Sequence, residues 1–238
     1  AVQPSPAPAA PSVTPQPQPT GPASAPSAPQ AEGYIIKEET PVGAEAGGFW
    51  KSRNYPFAVN GLAVADVDGD DRLETVIVGA DQVMVYRMEA ERFITAIRPQ
   101  KPGFKYALRV DAADIDGNGT AEIFVTSLNA QLRAPSSYVL EYEDGRLVTR
   151  VKDSPWYFRV VQVPGRGAVL LGQQGRRGEP YDGGIVELNW IGGEYAPGQA
   201  VGTPKDMNVM GFDLGDLGDD GQALGVGYGR DLLLRVFD

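Results

Sequence analysis

Beyond residue 57 the apolar residues come in short runs. Some alternate with polar positions and some are β-branched throughout, and Gly, Asp and Asn punctuate them. Residues 61–97 (GLAVADVDGDDRLETVIVGADQVMVYRMEAERFITAI) read as an alternating strand at Leu62–Val64, an acidic turn and a nearly continuous apolar strand at Thr75–Val78. A third strand at 83–86 and a ragged fourth at 93–97 follow. The same order returns at Leu108–Val110, Ile123–Thr126, 138–142 and 147–151. Asp66 and Asp114, which open the two acidic turns, are 48 positions apart. A further 48 reaches Gln162, where the flanking strands persist (Val160, Ala168–Leu171, 185–190, 194–199) but the turn has shrunk to Pro164–Gly167. The last copy has Asp216 at 102 from Asp114, twice 51, with strands at Ala223–Val226 and 232–237.

Four strands in each ~40–50 residues is the spacing of a β-propeller blade. The expected fold is therefore all-β, with four-stranded blades at about 58–100, 105–151, 156–200 and 207–238 inside a domain covering 33–238. The fourth copy lacks a fourth strand, and the aromatic-basic stretch 48–57 (GFWKSRNYPF) suits an outer strand that closes a ring. A closed small ring and a part of a larger propeller both fit this phasing.

Residues 1–32 are different. They hold ten of the 20 prolines, no aromatic residue and no charge before Glu32. Such a Pro/Ala/Ser/Gln-rich segment cannot bury enough apolar area to offset chain entropy, so it is expected to be a disordered linker with polyproline II bias. At ~3 Å per residue it would reach on the order of 90 Å. A ligand for a proline-binding module is the competing reading, but no Arg or Lys sits beside Pro4, Pro15 or Pro19 to set an orientation.

Charge and composition remove several classes. With 21 basic and 31 acidic residues the formal charge is −10, against nucleic-acid binding. There is no His and no Cys, which excludes imidazole general acid–base chemistry, a Ser–His–Asp triad, His or Cys zinc ligation and disulfides. No apolar run approaches the ~18 residues of a membrane span.

The two acidic turns carry the candidate chemistry. The first is Asp66-Val67-Asp68-Gly69-Asp70-Asp71-Arg72-Leu73-Glu74 and the second Asp114-Ile115-Asp116-Gly117-Asn118-Gly119-Thr120-Ala121-Glu122. Oxygen side chains occupy positions 1, 3, 5 and 9 of both, and Gly at 4 permits the sharp turn that lets them converge. Arg72 and Thr120 at position 7 are expected to offer a backbone carbonyl, with their side chains turned away. Hard, largely anionic oxygen donors suit Ca²⁺. Carboxylates gathered at ~4 Å repel one another by about 1 kcal/mol per pair even in water, and a divalent cation relieves that repulsion. The helical calcium loop does not fit, because position 12 is Ile77 or Val125 and apolar strands flank both turns. A metal-free Asp/Gly turn is the plain alternative. The fourth copy keeps Asp216 and Asp220 at 1 and 5, and with Gln222 makes only a weak metal candidate.

The segments 66–80 (DVDGDDRLETVIVGA) and 114–127 (DIDGNGTAEIFVTS), with 216–229 more weakly, resemble the FG-GAP/VCBS repeats, the calcium-loop blades of integrin α-subunits and many bacterial surface proteins. The resemblance covers about residues 49–238. Family propellers usually have about seven blades against four copies here, and the third copy has no loop. The resemblance implies an exported, calcium-stabilised, non-enzymatic propeller used for adhesion or protein contact.

Other residues have structural readings beside functional ones. Trp50, Trp156 and Trp190 suit blade packing, or a sugar-stacking platform. Tyr86 and Tyr142 occupy matching strand positions and read as core or inter-blade contacts. Arg166, Arg176 and Arg177 form a basic spot that would dock an acidic partner if it is not simply a solvated loop. Glu141, Glu143 and Glu187 are acids without a defined pairing, so hydrolysis has little support. The expected function is a calcium-binding module displayed outside the cytoplasm (periplasmic, outer-membrane-associated or secreted), for a protein or surface-glycan ligand. A lectin-like propeller and a calcium-dependent hydrolase are the rival readings, and further blades or another domain are open.

Overall fold

The computed structural model describes residues 54–90, 92–100, 105–129, 134–176, 179–204, 206–216, 224–229 and 231–237. The linker at 1–32 and Trp50, Asp220, Gln222 and Arg177 lie outside the described residues. All regular structure among them is strand, in four antiparallel sheets. The first sheet runs in the order β1 (Gly61–Ala65), β2 (Glu74–Val78), β3 (Val83–Glu89), β4 (Arg92–Gln100). The second holds β5 (Lys105–Ala113), β6 (Glu122–Asn129), β8 (Ser137–Glu143) and β9 (Arg146–Ser154), with the two-residue β7 (Ala134–Pro135) also on β6. The third is β10 (Trp156–Val163), β11 (Gly167–Arg176), β12 (Glu179–Ile191) and β13 (Glu194–Ala200). The fourth has β14 (Met207–Gly215), β15 (Leu224–Gly229) and β16 (Leu234–Phe237). Each is a four- or three-stranded meander, the form of a propeller blade.

Turn chemistry sets the register. Between β8 and β9 the only residues are Asp144 and Gly145, at φ 48° and 83°, and Glu143 pairs with Arg146. Gly192 and Gly193, at 64° and 92°, do the same between Ile191 and Glu194. Two central residues with positive φ give the primed turn whose twist matches that of the strands it joins.

Alternation along each strand then builds the cores. Ile123 and Val125 of β6 face the first sheet and pack with Val76, Val78, Val83 and Val85. Phe124, between them, turns to the other face and joins Trp156, Phe158, Leu188 and Tyr195 of the third sheet. Residues of β10 alternate likewise, so Tyr157 and Val161 meet Met207, Val209 and Phe212 of the fourth sheet. Apolar cores therefore join the first sheet to the second, the second to the third and the third to the fourth.

Innermost strands come close enough to require small residues and matched charges. A Cβ on Gly61 would lie 2.8 Å from the Val110 amide nitrogen. Arg159 of β10 bonds Asp111 Oδ1 of β5 at 2.9 Å, Asp213 Oδ2 of β14 at 2.6 Å and the Phe212 carbonyl at 3.0 Å. One guanidinium thereby ties three consecutive sheets, and Arg109 adds a second ion pair to Asp111 at 2.9 Å.

One expectation needs correction. The described part of the proposed closing strand, residues 54–57, is not a strand. Pro56 has no amide to offer a ladder, and Tyr55 and Phe57 instead pack on Ile77, Met84, Tyr86 and Phe93 of the first sheet. Among the described residues the fourth sheet has three strands, and Leu234 and Val236 of β16 are exposed.

Because Asp111 is buried, replacing its cross-sheet partner leaves a carboxylate with only Arg109 beside it. Arg159→Ala is expected to cost ~2–4 kcal/mol, below or within the range for breaking a buried pair. Urea denaturation measures this, and Leu62→Ala on an exposed β1 position should change stability by less than ~0.5 kcal/mol.

Candidate metal centres

Each acidic turn folds around its first residue. Asp66 Oδ1 accepts the amides of Gly69 at 2.8 Å and Asp70 at 3.2 Å, and Oδ2 accepts that of Asp71 at 2.8 Å. Asp114 does the same with Gly117 at 2.7 Å, Asn118 at 3.1 Å and Gly119 at 2.9 Å. A carboxylate that gathers three amides holds the turn shut, and Gly69 and Gly117 adopt the positive φ (75° and 78°) this requires.

The ninth residue closes the loop from the strand side. Glu74 and Glu122 begin β2 and β6 and are 0% and 2% exposed. Glu74 Oε2 accepts the Val67 amide at 3.0 Å, and Glu122 Oε2 accepts the Ile115 amide at 2.7 Å. In both loops the first, third and ninth residues converge: Asp66, Asp68 and Glu74 in one, Asp114, Asp116 and Glu122 in the other, each trio with carboxylate oxygens within 4.8 Å of one another. Only the Glu of each trio is buried, and carboxylates clustered around a buried one need compensation. Asp68 Oδ1 is buried and has no hydrogen-bond partner, so the first loop contains an acceptor the protein does not satisfy. An all-oxygen donor set with such an acceptor fits a hard cation, with no His or Cys to draw a softer one.

Other predicted residues sit around these trios. Asp70 is outside the first trio and meets the guanidinium of Arg87 at 3.2 Å. Asn118 donates Nδ2 to Asp116 Oδ2 at 3.3 Å and Glu141 Oε1 at 2.7 Å. Arg72 turns its side chain outward to Glu89 at 3.9 Å. Thr120 does not: its hydroxyl donates to Asn118 Oδ1 at 2.7 Å, because its short side chain closes an extra turn over the loop. Asp216 is exposed.

Three residues missing from the expected ligand sets touch the loops. Arg87 of β3 donates to Glu74 Oε1 at 2.8 Å through Nε and to Asp68 Oδ2 at 2.7 Å. The Glu74 hydrogen bond, with the Asp68 contacts, holds the guanidinium charged far above its ordinary range. Tyr195 of the third sheet donates its hydroxyl to Glu122 Oε1 at 2.7 Å. Burial, followed by the Glu122 charge, pushes that phenol up, and burial also holds the Glu122 carboxyl above the usual range despite its hydrogen bonds. Glu141 of β8 completes the surroundings of the second loop and is itself held by Arg150 Nε at 2.5 Å. Cross-strand register was the signal for Arg87, which faces Glu74 directly.

The loops also touch each other. The Ala121 amide donates to the Asp66 carbonyl at 2.9 Å, and a Cβ on Gly69 would stand 3.0 Å from Thr120 Cγ2.

Elsewhere, Trp156 is buried between the second and third sheets, whereas Trp190 is exposed and lies tilted beside Tyr195, its cross-strand partner within the third sheet, with ring centroids 4.9 Å apart. Tyr142 packs beside the core between the first and second sheets, whereas Tyr86 lies on the first sheet's other face, against Tyr55 and Phe93. Arg166 is not an open basic spot: it forks onto Glu187 at 2.7 and 3.0 Å, and that pairing lowers the Glu187 carboxyl below its usual range. A cleft of about 380 Å³ between the third and fourth sheets is lined by Gln173, Tyr181, Thr203 and Asp206 among others.

Tyr195→Phe would strip a charge-assisted hydrogen bond from buried Glu122. The expected loss is ~1.5–3 kcal/mol, read as a lower urea midpoint at unchanged slope.

Comparison with known families places these loops. Residues 49–125 match the family described as FG-GAP-like repeat, a span that contains the first sheet and both acidic loops. No curated protein matches the chain. The repeated antiparallel sheets and the two acidic loops at the same strand junction agree with that likeness to FG-GAP-like repeats.

Proposed function

We propose that the chain is a non-enzymatic, calcium-binding propeller module displayed outside the cytoplasm for protein or surface recognition. The observation that carries the calcium reading is the pair of convergent carboxylate trios at equivalent places in two repeats, one with a buried oxygen left unbonded. Repeats of this family can bind Ca²⁺ and are generally non-enzymatic, which agrees with that chemistry. Asp66, Asp68 and Glu74 would hold one ion and Asp114, Asp116 and Glu122 the other, with Asp70 and Asn118 beside them. Bound calcium would supply charge compensation and cross-linking of each loop to the strand that follows it. Display on a stalk is supported by the composition of residues 1–32, and a partner other than nucleic acid by the net charge of −10.

Calcium at about 100 times its dissociation constant should add ~2.7 kcal/mol per site to stability. The expected result is a melting temperature several degrees higher in millimolar Ca²⁺ than in EGTA, and no such difference in the double variant Asp68→Ala, Asp116→Ala. Identical melting of the wild type in both buffers would refute the metal reading.

A glycan ligand is the second reading, favoured by the cleft that Tyr181 and Asp206 line between two blades. Saccharide binding on a glycan array that is lost in Tyr181→Ala would support it over a protein partner.

A further inference from the structure

The two loops present similar carboxylates to opposite neighbours. Glu74 pairs in register with Arg87 across β2 and β3. In the second sheet Ile123 pairs with Leu140, so the preceding Glu122 stands across from the following Glu141. One place in the repeat is thus a cation in the first sheet and an anion in the second. This proximity comes from backbone pairing. Arg87 Nη2 reaches three carboxylates, Glu74 Oε1 at 2.7 Å, Asp68 Oδ2 at 2.7 Å and Asp70 Oδ2 at 3.2 Å, and its side chain is only 14% exposed. In the second loop the group bridging carboxylates is a neutral amide, Asn118 Nδ2, between Asp116 and Glu141. A cation is also near that loop, but Arg150 binds the far oxygen of Glu141 and Glu143, and its side chain is 41% exposed.

We propose that the two loops are unequal cation sites that fill in order. The second fills first, with Glu141 adding its charge to Asp114, Asp116 and Glu122. The first fills only when the incoming ion displaces the Arg87 guanidinium, an internal competitor held on the same chain. The proposal rests on the calcium reading above and adds to it a ranking and the residues that set it. A tethered cation competes at high effective concentration. Displacing it also leaves a mostly buried guanidinium without its anionic partners, whereas moving a neutral amide leaves no charge unpaired. Contact between the loops through Ala121 and Asp66 reinforces the order, since an ion already in the second loop opposes a second positive charge next to it.

Calorimetric titration of the full chain with Ca²⁺ alone tests this. Wild type should show two classes of site whose constants differ by about tenfold or more, and Arg87→Gln should tighten the weaker class by a similar factor. Glu141→Gln should weaken the tighter class. Should Arg87→Gln fail to fold, Asp68→Asn and Asp116→Asn assign the classes: the first should remove the weaker and the second the tighter. Two indistinguishable classes, a tighter class lost in Asp68→Asn, or constants unmoved by Arg87→Gln would overturn the ranking and leave calcium binding in place. No heat, together with no calcium-dependent shift in melting temperature, would overturn the calcium reading and the ranking with it.

Discussion

A carboxylate at the start of the second strand, buried and still required to be charged or satisfied, constrains everything around it. Glu74 and Glu122 sit where a repeat of valines and isoleucines would otherwise run unbroken into the core. Leaving such a group unpaired would cost several kcal/mol, of the order of a domain's whole stability. Each therefore draws in the amide of the loop's second residue, and that bond fixes where the turn begins relative to the strand. The first-position Asp then gathers three amides and settles the turn's shape. Two acids, one on the strand and one on the loop, define the pocket in which a third carboxylate must also sit.

The same clasp reaches sideways. Glu122 has a second oxygen to satisfy, and Tyr195 of the next sheet supplies the donor. Its ring lies edge-on to Phe124 with centroids 5.3 Å apart, inside the core that joins the second and third sheets. The polar loop and the apolar interface are therefore one packing unit. At the innermost strands a comparable economy operates, with Arg159 shared between Asp111 and Asp213. Asp111 and Arg159 are 48 residues apart, the repeat spacing itself, so successive blades place opposite charges at one height.

The strands were legible in the sequence because alternation and β-branched runs report burial locally. Glu74, Asp68 and Asp66 were legible because Gly69 and their spacing are local too. Arg87, Glu141 and Tyr195 were not, since each reaches the loop from another strand. Arg87 follows Glu74 by 13 residues and Glu141 follows Glu122 by 19, because β7 and its approach lengthen the second connection. Spacing alone hides that the two are equivalent, and only the register reveals it. Thr120 escaped for a related reason: a side chain next to a turn bonds to what the turn brings near it. Arg166 read as an open charge because Glu187 lies 21 residues away, on the far side of a hairpin.

The third sheet lacks the clasp. There the acidic loop is gone and β11 begins at Gly167, directly after a turn closed by the Arg166 amide on the Val163 carbonyl at 3.0 Å. No buried carboxylate stands at the head of that strand, and the nearest charges, Arg166 and Glu187, pair near the solvent. The sheet forms all the same, with β10 and β11 paired from Trp156 to Val163. Strand pairing within the third sheet therefore does not need an acidic loop of its own. What the loop adds to the first two sheets is a concentration of negative charge that the fold tolerates only by supplying donors.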